Sequence, residues 1–318
     1  MRRGGPPILP VDAGSVPAFA RVERGPRGLR LAPAGAPAGA TGDDGGAPPL
    51  RLRAGGPAAL RDAAVVAGGK LVLATADAVA YSLALPQMRV IHDRRPPGLA
   101  EARGAPLANA GLLRDGEGWR AVVLPSLGDV AAGIGPGPAA IRADGRRIAA
   151  AVEGAVEEWD LGAPNPVARH EGWVSALCYD GDGGLLAAAG ARVGAPGLDA
   201  GAGPAIVSLA GAAAGPRAVA RHEDGSISVW ERGSDEPVAA WTAPPGTGAP
   251  ALSADGALVV LGAPEDDAPT ACLARAEDGV IVRAVAGARV LAPSPAGDGM
   301  VVGGDWGCAW LTPYEEAE

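Results

Sequence analysis

The sequence predicts an all-β protein, a seven-bladed β-propeller of four-stranded antiparallel blades. Three observations predict it. Short apolar runs alternate with glycine turns, acidic-Gly pairs precede tryptophans at a fixed spacing, and the turns recur about every 38 residues. Four-stranded units repeated about seven times close into a ring, in which each sheet packs face to face on the next.

The clearest unit begins at residue 137 and contains four strand candidates, PAAIRA, RRIAAAV, AVEEWDL and PVARH. Asp144-Gly145 separates the first two candidates, and Glu153-Gly154 separates the next two. An acidic residue followed by Gly between apolar runs favours a tight hairpin, because Gly adopts the positive φ that such turns need. Alanine favours helix by propensity, but glycines interrupt the runs too often for one to form.

The same turn recurs along the chain. The glycine that ends the first hairpin of each unit is predicted at seven positions, 32 to 43 residues apart: Gly69, Gly104, Gly145, Gly183, Gly215, Gly256 and Gly299. Gly104 and Gly215 are placed partly by the expected spacing. A second series sets Glu153 six residues before Trp159 and Asp224 six residues before Trp230. Counts of six or eight blades stay open.

The repeats describe a single domain over residues 1–318. After Gly299 the chain offers about two more strands, MVVGG and WGCAWL, before an acidic tail at 313–318. The last blade therefore needs a strand from the N-terminal region, either GLRLA at 28–32 or PPILPV near the start, which would leave no exposed sheet edge. Residues 33–48 read as an insertion loop, and residues 191–203 as a degenerate blade region too rich in glycine for two good strands.

Composition limits the function classes. The chain has 27 basic and 36 acidic residues and a net charge of −9, which argues against nucleic-acid binding. Lys70 is the only lysine, and the excess of Arg, Ala, Gly and Pro indicates a GC-rich bacterial genome. No apolar run suits a membrane helix or a signal peptide, so we expect a cytoplasmic protein without a membrane partner. Cys178, Cys272 and Cys308 suit buried thiols in a reducing compartment.

The sequence contains no pattern that predicts catalysis or metal binding. Its three histidines, His92, His170 and His222, fall in different predicted blades, whereas a metal site needs converging ligands. The run at 180–183 (DGDG) suits a hairpin turn better than a calcium loop, and none of the common catalytic motifs occurs. We expect no cofactor, no metal ion and no enzymatic activity. Carboxylates paired across blades stay open, because spacing across blades is invisible in the sequence.

One segment, RHEGWVSALCYDGDGGLLAAAGA at 169–191, resembles the WD40 family. DGSISVWE (224–231) and EGAVEEWDL (153–161) are similar to the third strand of that family. The resemblance spans about residues 57–312 and implies structural repeat positions at Trp159, Asp160, His170, Asp224, Trp230 and Trp310. The family often links a His, an Asp, a Ser or Thr and the Trp of one blade by hydrogen bonds. No blade here carries the full set, so we expect such networks to be partial.

The resemblance implies a non-enzymatic scaffold that binds another protein. Because Trp and Arg are enriched at binding hot spots, we predict Arg94, Trp119, Trp173 and Trp306 as contact residues. At the level of the family, the partner would be an ATPase, a protease or a defence-system component in a bacterial multi-protein system. The alternative is a propeller enzyme, a hydrolase or lyase with its active site at the central channel.

Overall fold

The computed structural model of the protein describes residues 19–25, 28–33, 50–57, 59–263 and 269–313. Within them all regular structure is β, and the strands form the predicted seven-bladed propeller. Three strands precede the first blade along the chain: β1 (Phe19–Gly25), β2 (Gly28–Pro33) and β3 (Leu50–Gly55).

The first three blades are four-stranded antiparallel sheets that follow one another along the chain. Blade 1 contains β4 (Leu60–Val66), β5 (Leu71–Ala76), β6 (Val79–Ala84) and β7 (Arg89–Arg94). Blade 2 contains β8 (Glu101–Gly104), β9 (Ala110–Asp115), β10 (Gly118–Val123) and β11 (Gly128–Ala132). Blade 3 contains β12 (Ala139–Ile141), β13 (Arg147–Val152), β14 (Ala155–Asp160) and β15 (Ala168–Glu171).

The other four blades vary this plan. Blade 4 has three strands, β16 (Ala176–Tyr179), β17 (Leu185–Ala189) and β18 (Arg192–Gly194), so residues 191–203 supply one short strand. Blade 5 contains β19 (Ile206–Gly211), β20 (Arg217–His222), β21 (Ser226–Glu231) and β22 (Ala239–Thr242). Blade 6 contains β23 (Pro250–Leu252), β24 (Leu258–Leu261), β25 (Thr270–Arg275) and β26 (Ile281–Ala286). Blade 7 contains β27 (Val290–Pro293), β28 (Met300–Gly304) and β29 (Gly307–Pro313), with β3 paired to β29.

The core is divided among the seven interfaces between blades. The first strand of each blade lines the centre of the ring, and β4 contacts both β8 and β27. One apolar cluster of buried side chains fills each interface, including the one between blades 7 and 1. Alanines are frequent in these clusters, because small side chains let neighbouring sheets approach closely near the axis.

The predicted turn glycines are confirmed at five of the seven positions. Gly69, Gly145, Gly183, Gly215 and Gly256 occupy the turn between the first two strands of a blade, each with a positive φ. The prediction of Gly104 as a turn glycine is wrong, since Gly104 ends β8 and residues 105–109 form the turn instead. A side chain there would overlap Val66 of the neighbouring blade. Gly299 directly precedes β28, and Gly297 adopts the positive φ in that turn.

The prediction that residues 28–32 form the strand that completes blade 7 is also wrong. That segment forms β2, which pairs with β1 across a two-residue connection, and β1 pairs in parallel with β26 of blade 6. A local hairpin costs less loop-closure entropy than a distant pairing. The segment PPILPV lies outside the described residues. So do the predicted insertion loop (33–48) and the acidic tail (313–318), except for their first residues, Pro33 and Pro313. Closure of the ring by an N-terminal strand stays a prediction.

Candidate partner-binding site

The four predicted contact residues lie at one end of the blades. Because the strands of a blade run antiparallel, the turns between second and third strands and the connections between blades meet at this end, which we call the connection face. Arg94 ends β7, Trp119 follows the turn before β10, Trp173 follows β15, and Trp306 precedes β29. They belong to different blades, so the structure does not gather them into one patch.

Trp119 is a core residue, which corrects its prediction as a contact residue. Its ring is 1 % exposed and lies in the cluster between blades 2 and 3. The indole Nε1 donates a hydrogen bond to the carbonyl oxygen of Gly137 at 2.8 Å. The guanidinium carbons of Arg103 and Arg114 lie 5.3 and 6.0 Å from the ring centroid. These contacts use Trp119 to join two blades, and a partner cannot reach it.

Arg94 and Trp306 also have partners within the chain. The Arg94 guanidinium donates two hydrogen bonds to the Asp129 carboxylate, at 2.5 and 2.8 Å, and a third to the carbonyl oxygen of Leu127. This contact ties the outer strands of blades 1 and 2 together and holds the pKa of the Asp129 carboxyl below its usual range. Trp306 is half-buried, and its Nε1 donates to the carbonyl oxygen of Gly287 at 2.7 Å.

Trp173 is the exposed member of the predicted set. It has 71 % of its surface accessible and is the most exposed of the large hydrophobic residues described. Gly172 before it has a φ of 129°, a conformation that favours glycine, and Val174 after it is buried in the cluster between blades 3 and 4. The chain is therefore anchored on both sides of an indole that faces solvent.

A groove of about 720 Å³ lies beside Trp173, and we call it the Trp173 groove. Its walls are residues 133–138, 151–155 and 172–174, together with Glu157 and Trp159 of β14. A Cβ on Gly137 would lie 2.6 Å from the carbonyl oxygen of Ala151, so glycine lets the 133–138 loop lie flat on blade 3. Nine of the sixteen residues that line the groove are Gly, Ala or Pro.

Two carboxylates line the Trp173 groove, and no basic residue does so among the described residues. Glu153 is exposed at the β13–β14 turn. Glu157 is more buried and accepts a hydrogen bond at 2.5 Å from Arg169, which lies outside the lining. Our sequence reasoning missed this groove. The signal available was the loop GIGPGP at 133–138, whose alternating Gly and Pro exclude a strand and expose main chain.

The predicted repeat positions serve the fold. Trp230 and Trp310 are buried in the clusters of blades 4–5 and 7–1, and Trp159 packs partly buried between blades 2 and 3. Asp224 accepts hydrogen bonds from the main chain and hydroxyl of Ser226, which fixes the β20–β21 turn. Asp160 lies 3.4 Å from Arg147 at the blade surface.

Blade 5 contains the partial hydrogen-bond network that the resemblance implies. Trp230 Nε1 donates to the Ser228 hydroxyl at 2.7 Å, and the same hydroxyl is 2.7 Å from His222 Nε2. His222 Nδ1 is 2.9 Å from the carbonyl oxygen of Pro204. His170, the predicted member, instead meets Glu158 in blade 3 at 3.3 Å, and Glu158 also accepts a hydrogen bond from Tyr179 at 2.8 Å.

The first strands enclose a central channel of about 460 Å³ whose charged residues lie on one side. Blades 3–6 contribute mainly Ala, Leu, Gly and Pro, and no histidine lines the channel among the described residues. Blades 7, 1 and 2 contribute five charged residues: Arg61, Asp62, Glu101, Arg103 and Arg289. The charges therefore form one wall rather than a ring.

Most polar groups of that wall form hydrogen bonds or ion pairs with other groups of the protein. Arg103 donates to Glu101 at 2.8 Å and to the carbonyl oxygens of Ala139 and Leu177 at 2.6 and 3.3 Å, which spans three blades. Arg289 lies 2.8 Å from Asp305. The Asp62 carboxylate accepts hydrogen bonds from two main-chain N–H groups, those of residues 63 and 102. Burial nevertheless raises the pKa of Asp62 to about 6, and the nearby Glu101 charge adds to the rise.

The cysteines offer no activated nucleophile. All three are buried, as the sequence predicts, and Cys178 lies in the channel wall. Burial raises the pKa of the Cys178 thiol and raises those of Cys272 and Cys308 to about 12. Since the thiolate is the reactive form, burial disfavours reaction at these three thiols.

The described residues contain no group of three or more His, Cys, Asp or Glu side chains placed to hold a metal ion. They also contain no helix with the length and hydropathy needed to cross a membrane. No protein-family model matches the chain, and neither does any curated protein sequence.

Proposed function

We propose that this propeller is a non-enzymatic scaffold that binds another protein at the Trp173 groove. One observation carries the proposal, the 71 % exposed indole beside a groove of about 720 Å³. An exposed tryptophan at the edge of a concave surface is typical of a binding hot spot, because it buries a large area with few rotatable bonds.

The central channel supports the scaffold over an enzyme. Over blades 3–6 its lining carries no charged residue among the described residues, and the Arg103 guanidinium and the Asp62 carboxylate are hydrogen-bonded within the protein. A general acid–base site usually offers His or paired carboxylates free to meet a substrate. Here these groups hold the first strands together instead.

The finer parts of the proposal rest on the resemblance at 153–191 and 224–231. We assign the chain to the WD40-like propellers of bacteria and place it in the cytoplasm. Its partner would be an ATPase, a protease or a defence-system component of a multi-protein assembly. The negative net charge supports a protein partner over nucleic acid.

Comparative affinity purification tests the scaffold. Full-length protein, the Trp173→Ala variant and the Leu107→Ala variant would each capture partners from lysate of the native organism, followed by quantitative mass spectrometry. Leu107 is 57 % exposed in the β8–β9 turn, on the opposite face, so it is a matched control. We expect a protein retained by wild type and Leu107→Ala and lost by Trp173→Ala. Identical sets of captured proteins for all three would contradict the proposal.

One observation favours the alternative, a hydrolase or lyase at the channel. Asp62 has a pKa of about 6 beside Glu101, a pairing that can divide acid and base roles between two carboxyl groups. A panel of glycoside, ester and phosphoester substrates tests it. Turnover by purified protein that disappears in Asp62→Asn, with unchanged thermal stability, would replace the scaffold with an enzyme.

A further inference from the structure

We propose that the segment bound in the Trp173 groove is extended and carries at least one arginine side chain. This inference rests on the proposed function and adds the chemistry of the partner. The shape of the groove, its charge and its aromatic surface support it.

The shape of the groove favours an extended chain. Nine of its sixteen lining residues are Gly, Ala or Pro, and eight of these nine lie in 133–138 and 151–155. Gly135 and Gly137 are closely fitted against blade 3, where a Cβ would lie 3.2 Å from Val152 and 2.6 Å from the Ala151 carbonyl oxygen, respectively. A wall of such small residues suits a single extended strand better than the bulk of a helix.

The charge of the groove favours a cationic occupant. Glu153 and Glu157 are the charged residues of its lining, and both are acidic. Arg169 already pairs with Glu157, but among the described residues Glu153 makes no ion pair and is exposed. A basic side chain entering the groove would meet an unpaired carboxylate. The whole chain, at −9, would also attract a basic partner over longer distances.

The aromatic surface favours arginine over lysine. A guanidinium is planar, so it can stack on an indole while its N–H groups face a carboxylate. The protein already uses this arrangement in blade 2, where the partly exposed Arg103 lies 5.3 Å from the Trp119 ring and donates to Glu101. The groove presents the same components on the surface without the arginine, namely the Trp173 indole and the Glu153 carboxylate.

A second copy of the chain is a weaker occupant than a basic partner. Each copy carries a charge of −9, so two copies repel one another over the distances at which they first meet. Sedimentation equilibrium distinguishes this case, since a dimer dispersed by Trp173→Ala would show the groove to be a self-association surface and would overturn the inference.

Calorimetric titration with synthetic peptides tests the inference. The probes are acetylated ten-residue peptides of Gly, Ala and Pro that carry two arginines, two lysines, two citrullines or two glutamates. Citrulline keeps the size and most hydrogen bonds of arginine without the charge. The protein variants are Trp173→Ala and Glu153→Gln, with Leu107→Ala and Glu236→Gln as matched controls that are exposed away from the groove.

We expect the arginine peptide to bind about tenfold more tightly than the citrulline peptide and about threefold more tightly than the lysine peptide. Glu153→Gln should weaken arginine binding about threefold, as expected for one exposed ion pair, and Trp173→Ala about fivefold or more. Raising the salt from 50 to 300 mM should weaken binding further. The control variants should bind like wild type.

The outcomes separate this inference from the proposed function. Equal binding of arginine and citrulline peptides, or no binding of the arginine peptide at millimolar concentration, would overturn the inference. If Trp173→Ala still lost its partner in the capture experiment, the scaffold would stand with a partner of other chemistry. If Trp173→Ala changed neither result, both would fall.

Discussion

Ser228 shows how one hydroxyl can organise the interior of a blade. It accepts the indole N–H of Trp230 at 2.7 Å, and its oxygen lies 2.7 Å from His222 Nε2. A carbonyl oxygen only accepts hydrogen bonds, so His222 Nδ1 carries a proton and donates a hydrogen bond to the Pro204 carbonyl oxygen at 2.9 Å. Each polar group of this hydrogen-bond network, from Trp230 to Pro204, therefore has a partner in a site where unpaired groups are costly.

We expect Ser228→Ala to lower the free energy of unfolding by about 2–4 kcal/mol. The substitution leaves two buried polar groups unpaired, and each costs about 1–3 kcal/mol. Urea denaturation followed by circular dichroism measures the loss. Ser126→Ala, at an exposed turn, is the control and should change stability by less than about 0.5 kcal/mol. An unchanged midpoint for Ser228→Ala would show that the network contributes nothing.

Asp62 links stability to pH through its raised pKa. The folded protein holds the Asp62 proton up to about pH 6, whereas the unfolded chain releases it near the ordinary value of 3.8. Between these values the folded state binds more protons than the unfolded state, so its stability falls as the pH rises. The contribution is fully present below pH 3.8 and is lost above about pH 6.

This linkage predicts a change in the urea midpoint between pH 5 and pH 7.5. For Asp62 alone, wild type should lose about 1.4 kcal/mol over that interval, because one pH unit separates pH 5 from the folded pKa of about 6 and one unit corresponds to about 1.4 kcal/mol. Asp62→Asn carries no charge at either pH and should lack this part of the slope. Asp235→Asn, at an exposed site, should keep it. Parallel slopes for wild type and Asp62→Asn would refute the assignment.

At the scale of elements, glycines in the inner strands set how closely blades approach. Gly211 at the end of β19 is packed on blade 4, where a Cβ would overlap the Tyr179 carbonyl oxygen. Gly303 of blade 7 is likewise packed against Leu60 of blade 1. An added methyl group would have to displace the β16 main chain at Gly211 and the Leu60 side chain at Gly303.

Gly211→Ala should therefore destabilise the protein by about 1–3 kcal/mol or more. Gly128→Ala is the matched control, because its Cβ would meet its nearest neighbour at an ordinary 3.5 Å. Differential scanning calorimetry compares the two variants. Equal melting temperatures would mean that blades 4 and 5 separate more easily than their packing suggests.

The repeat was predictable where a turn depends on its own residues. Asp144-Gly145 and Asp255-Gly256 form turns because Gly supplies the positive φ locally. The prediction of Gly104 as a turn glycine was wrong, because this glycine packs closely against Val66 of the neighbouring blade and does not lie in a turn. The same limit applied to the candidate partner-binding site, where burial depends on packing between blades. Sequence reasoning selected exposed Trp173 and buried Trp119 alike, because both lie near strand starts or loops and only packing between blades distinguishes them.

The whole molecule is held by seven equivalent interfaces rather than one central core. Each carries its own apolar cluster, and arginine pairs such as Arg94 with Asp129 add polar contacts between neighbouring blades. The strand β3 pairs with β29 over six residues and thereby joins an early part of the chain to its last blade.

Deletion of N-terminal residues tests whether this pairing closes the ring. Removing 1–33 deletes β1 and β2 but keeps β3, whereas removing 1–56 also deletes β3 and leaves the edge of β29 unpaired. We expect the longer deletion to lower the melting temperature by about 10 °C or more, and the shorter one by a few degrees. Equal melting temperatures for the two deletions would argue against closure by β3.

Lys70, the sole lysine, is exposed in the turn between β4 and β5 and therefore points away from the connection face. Besides the terminal amine, amine-reactive reagents thus have a single side-chain target. Lys70 lies on the face of the ring opposite Trp173. Coupling to a sensor chip or a fluorophore through Lys70 would orient every molecule alike, with the groove turned outward and unobstructed.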